Sequence, residues 1–166
     1  MQTGMRQGPE IWLRGPVTPA EPGPPVPAHD RTARRFSWVG THGGAGVSTL
    51  AGVYGGHDGG RAWPGPADPP SVLLVARTHA VGLDTVAAAV EAFRRGQAPP
   101  GLDLDAVVLV ADAPGRLPRP LARRVRALES VIDVYRVPWV PAWRLGERGR
   151  PPRETAALAR LTGAAR

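Results

Sequence analysis

The chain has no cysteine, no lysine and no asparagine. Without cysteine there is no disulfide, no thiol nucleophile and no thiolate zinc site. Without lysine, all 21 basic residues are arginine. That usage, with abundant Ala, Gly and Pro and no Asn, is what GC-rich codons encode. It discounts the nucleic-acid partner that a formal charge of +7 would otherwise suggest. Long apolar runs are missing too. No segment approaches the roughly 18 apolar residues of a membrane helix, and the first residues hold no apolar stretch of signal-peptide length. The expectation is a cytoplasmic protein with no membrane insertion. The histidines at 29, 42, 57 and 79 lack metal-ligand spacing, and no Ser-His-Asp arrangement is visible. Neither a metal site nor catalytic residues are expected.

Proline and glycine are plentiful, 20 and 21 residues, but unevenly spread. Residues 1–35 read as a disordered arm, because "GPVTPAEPGPPVPAHD" is too rich in proline for a helix or a central strand. Within it Trp12, between Ile11 and Leu13, is either a docking peptide or a strap on the chain's own domain. Residues 36–166 read as an α/β domain interrupted by a flexible Gly/Pro loop at 55–70. Apolar runs predict strands at 36–40, 71–76, 105–112 and 131–138. Amphipathic stretches predict helices at 82–96 and 119–130, a short helix follows the glycine loop at 47–54, and a Pro near its first turn and Gly163 at its end bound a last helix at 152–163. Alternation of the two predicts a small parallel sheet of about four strands with flanking helices, a reduced Rossmann-like fold. Sequential crossovers on four strands would place the helices on one face. The other face and the edge beside the first strand would then be bare.

The stretch "WVGTHGGAGVSTLAG" carries the clearest chemistry. Gly43, Gly44, Ala45 and Gly46 either turn backbone amides around an anion, at the positive N-terminus of the helix that follows, or form a glycine turn kept for tight strand–helix packing. Ser48 and Thr49 supply hydroxyls. A phosphate loop also needs a lysine, and its position holds Val47.

The order "HGGAGVST" resembles the "KGGxGK[ST]" loop of ParA/MinD-type P-loop ATPases, with His42 and Val47 at the two lysine positions. "SVLLVARTHAVGLDTVAAAVEAF", "DAVVLVADAPGRLPRPL" and "VYRVPWVPAWRLGE" are similar to later elements of that fold, with Asp112 at a strand tip. The two aspartate-bearing strands of the middle are absent. Short families of high-GC actinobacteria show the same shortened pattern. The resemblance implies an ATP or other phosphate ligand at Gly43–Thr49 and Asp112. Missing lysines and aspartates imply no hydrolysis, because phosphoryl transfer depends on positioned charge.

In a doubly wound sheet, ligands sit at the carboxyl ends of the strands. Those ends carry Thr41 and His42, Arg77 to His79, Asp112 to Arg116, and Trp139 to Arg144. Arg77 and Arg116 could bring charge to the glycine loop. Trp12, Arg77, Arg116, Trp139, Trp143 and Arg144 form a candidate protein-binding set, since aromatics beside arginine suit interfaces. The functional expectation is a non-hydrolysing accessory or adaptor protein that contacts another protein or itself. The alternatives are an ATP- or GTP-binding assembly switch and a non-specific DNA-associated protein.

Overall fold

A computed structural model describes residues 34–165. The N-terminal arm, with Trp12, lies outside the described residues except for Arg34 and Arg35. The elements are β1 (Ser37–Gly40), α1 (Val47–Tyr54), β2 (His57–Asp58), β3 (Ser71–Arg77), α2 (Ala80–Arg94), β4 (Asp103–Val110), α3 (Arg119–Glu129), β5 (Val134–Val137) and α4 (Pro141–Arg144). A 3-10 turn at Arg153–Thr155 leads into α5 (Ala156–Thr162).

The fold is α/β, with one all-parallel sheet of five strands in the order β2-β1-β3-β4-β5. The expectation is about four strands with the first at or near an edge, and β1 lies second, beside the short edge strand β2. The extra strand, β2, is two residues long and comes from the Gly/Pro segment. It is held by backbone bonds. His57 N–H donates to Phe36 O at 2.9 Å, and Gly59 N–H to Trp38 O at 3.0 Å. Gly56 makes the approach possible at φ +87°, where a Cβ would stand 2.4 Å from the Phe36 ring. The rest of the segment is tied down as well. Ser37 donates to Pro69 O at 2.8 Å, and Trp63 stands edge-on to Phe93 at 5.2 Å. An edge strand this short presents little backbone for unwanted pairing.

Both faces of the sheet are covered, which corrects the expectation of one bare face. The chain leaves β1 in one direction, through α1 to β2, and then crosses back to build β3, β4 and β5 on the other side. Right-handed crossovers in opposite directions put their helices on opposite faces. Val47, Leu50 and Tyr54 of α1 and Leu158 and Ala159 of α5 pack on Trp38, Leu73, Val75, Val108 and Val110. Leu83, Val86 and Val90 of α2 and Val125 and Leu128 of α3 pack on Val39, Val72, Leu74, Val107 and Leu109. Fully burying side chains of this kind stabilises by roughly 1.5–3 kcal/mol each. The buried Trp38 indole still donates, to Gly55 O at 2.7 Å. No helix among the described residues is long and apolar enough to cross a membrane.

Candidate functional site

Reversal of winding between β1 and β3 opens a crevice at their carboxyl ends, where sheets of this kind take ligands. Three segments meet there: the glycine loop after β1, "RTHA" after β3, and the turn after β4. Gly44 at φ +75° and Gly46 at φ +107° give the loop its left-handed turns, and Gly46 caps α1. No side chain caps that helix, and its first turn holds no acid.

Arg77 fills the crevice. Its Nε donates to Gly44 O at 3.1 Å and its Nη1 to Ala111 O at 3.1 Å, so one guanidinium ties the glycine loop to the turn after β4. Its backbone N–H donates to His42 Nε2 at 3.0 Å. Because Nε2 accepts, His42 carries its proton on Nδ1, which lies 2.9 Å from Gly43 O. His79 caps α2 by accepting the Gly82 N–H on Nδ1 at 2.9 Å, and its ring lies 4.9 Å from that of His42. Both histidines are backbone ties. Thr41 and Thr85 share a hydrogen bond of 3.0 Å, and Thr78 Oγ1 accepts the Asp112 N–H at 3.1 Å. Partial burial and then the nearby Arg144 lower the Arg77 pKa, with Asp112 opposing them.

At the lysine position, Val47 is 7% exposed and belongs to the core. Its Cγ2 would stand 3.0 Å from a Cβ at Gly40. Ala45 is also buried, while Gly43, Gly44 and Ser48 face outward. Gly46, Thr49, Arg77, Trp139, Trp143 and Arg144 converge on a cavity of about 40 Å³. Ligand pockets for small molecules start at roughly 300 Å³, so this space fits a few waters or a small oxyanion and not a nucleotide. Gly46 and Thr49 of the candidate phosphate residues thus share one corner with Arg77, Trp139, Trp143 and Arg144 of the candidate partner residues. Trp143 packs against the core, and Arg144 stacks over the Trp139 ring at 4.5 Å. Asp112 and Arg116 lie elsewhere, on an open groove of about 750 Å³ that Leu117, Leu121 and Val125 also line. Trp12 lies outside the described residues.

Sequence reasoning missed Gly82. A Cβ there would stand 2.3 Å from Arg77 O and 3.0 Å from His42 Nε2. Its position at the start of the helix expected over 82–96 carries no mark of that contact.

Fold and site together define a doubly wound α/β domain whose glycine loop is closed by its own arginine. Residues 35–162 match a family of unknown function, DUF6668, and the chain belongs to that family. No curated protein and no solved structure matches it.

Proposed function

We propose that the protein is a non-hydrolysing adaptor that acts through protein–protein contacts, with its glycine loop serving as a structural joint. The observation that carries this reading is the Arg77 guanidinium, bonded to Gly44 O and Ala111 O beside a cavity of about 40 Å³. A phosphate loop offers its amides to a ligand. This loop has its own carbonyl engaged by its own chain, and the lysine position is turned into the core. The exposed Arg144, stacked over the half-buried Trp139, sits beside the joint and suits a partner surface.

Hydrolysis assays test the reading. Wild-type protein with ATP or GTP and magnesium ion gives no turnover above a blank. Val47→Lys gives none either, and it lowers stability by about 1–3 kcal/mol because an ammonium replaces a buried isopropyl group. Turnover that Ser48→Ala abolishes contradicts the reading.

A second reading, a phosphate-responsive switch, is supported by a different observation. Arg144 is close enough to Arg77 to disfavour its charge, and the neighbouring α1 has no acid in its first turn. An oxyanion between the two guanidiniums would relieve that repulsion. Saturable binding of inorganic phosphate, lost in Arg144→Gln, is the result this reading requires.

A further inference from the structure

On the face away from α2 and α3, the end of α1, the segment 149–152 and α5 enclose an open groove of about 840 Å³. Its lining mixes polar and apolar surface, with Val53, Pro151, Pro152 and Ala156 among the apolar residues. Among the described residues its charged lining is Arg150, Arg153 and Arg160, with no carboxylate side chain. All three arginines are exposed, and none has an ion-pair partner among the described residues. Arg34, Arg94, Arg95, Arg124 and Arg136, by contrast, each meet a carboxylate within 3.5 Å.

We infer that this groove seats an acidic segment of a partner protein, with apolar side chains on its floor and carboxylates on the three guanidiniums. The inference rests on the adaptor reading for the class of partner, and on the groove for its chemistry. Charge complementarity selects an anionic occupant, since three cations surround the site and no lining acid opposes them. The floor then selects between anions. Nucleic acid needs rings to stack its bases or polar side chains to read them. Tyr54 is 3% exposed and its hydroxyl already donates to Thr155 at 2.6 Å, so it offers no stacking face. An aliphatic floor suits Leu, Val or Met side chains, and bidentate guanidiniums suit Asp and Glu.

Fluorescence anisotropy with dye-labelled synthetic peptides tests this. The probe is a short peptide of leucines flanked by glutamates. It binds wild-type protein saturably, and added salt weakens it. Replacing Glu by Gln or Leu by Glu in the probe weakens binding about tenfold, as does the triple variant Arg150→Gln/Arg153→Gln/Arg160→Gln. The variant Arg94→Gln/Arg95→Gln removes charge on another face and leaves binding unchanged. No binding by the leucine–glutamate peptide overturns the inference. So does equal loss in the Arg94/Arg95 variant, or tighter binding of a labelled single-stranded oligonucleotide through the same three arginines. Nucleotide titration of the same sample separates the two levels. Saturable nucleotide binding removes the adaptor reading, whereas peptide failure with no nucleotide binding removes the groove assignment alone.

Discussion

At the scale of single residues, the site depends on close approaches that glycine alone permits. Gly82 is buried at the start of α2, with Arg77 O and His42 Nε2 in the space its Cβ would need. Gly82→Ala must separate α2 from β3, and the backbone cannot yield cheaply. The expected loss is about 3 kcal/mol or more, read as a lowered urea midpoint. Gly43 is the contrast. It is exposed, its φ is not positive, and nothing lies within 4 Å of its would-be Cβ. Gly43→Ala changes stability by less than about 0.5 kcal/mol. The two results in reverse order would mean that the loop and the helix are packed differently. The glycines of the loop were conspicuous in the sequence, and Gly82 was not. The Arg77 tie was illegible for a related reason. Its partners are the carbonyls of Gly44 and Ala111, 33 and 34 positions away, and no residue pattern records where a carbonyl points.

At the scale of elements, what could be read was what obeys a period. Val72–Ala76 of β3 and Ala106–Val110 of β4 are continuous apolar runs because both faces of the sheet are covered, and α1 falls at the expected residues. β2 has no such pattern, since two residues carry no alternation and backbone bonds to β1 create it. α2 starts two residues before the expected Gly82 because His79, a rare cap, supplies the acceptor. α4 is four residues in a stretch read as loop. The packing of α1 against the start of α5 gives a prediction. Tyr54 donates to Thr155, which donates to Pro152 O at 2.7 Å. Burial raises the Tyr54 phenol above its ordinary 10.0, and the Thr155 hydrogen bond opposes this. The folded state therefore holds that proton more tightly than the unfolded chain. The linked stability is complete below pH 10.0 and is lost as pH rises through the folded-state value. Tyr54→Phe costs about 1 kcal/mol at neutral pH. Its stability falls less steeply than that of wild type above pH 10.0. Parallel curves for the two proteins would contradict the burial of the phenol.

At the scale of the whole molecule, two layers of helices enclose a parallel sheet. Opposed winding about β1 and β3 makes a ligand crevice, yet the chain closes that crevice with its own side chain. The α/β class and the position of the glycine loop followed from the sequence, because a glycine-rich turn between an apolar strand and a helix allows few other arrangements. Closure did not follow, because it depends on the volume left between Trp139, Trp143 and Arg77 after packing. Calorimetric titration of magnesium–ATP and magnesium–GTP into wild-type protein and Arg77→Ala tests closure most directly. The account predicts only heats of dilution for wild type at millimolar nucleotide, and none beyond that for Arg77→Ala, because Val47 stays in the core. Saturable one-to-one binding to wild type, abolished by Gly44→Ala at its positive φ, would contradict it.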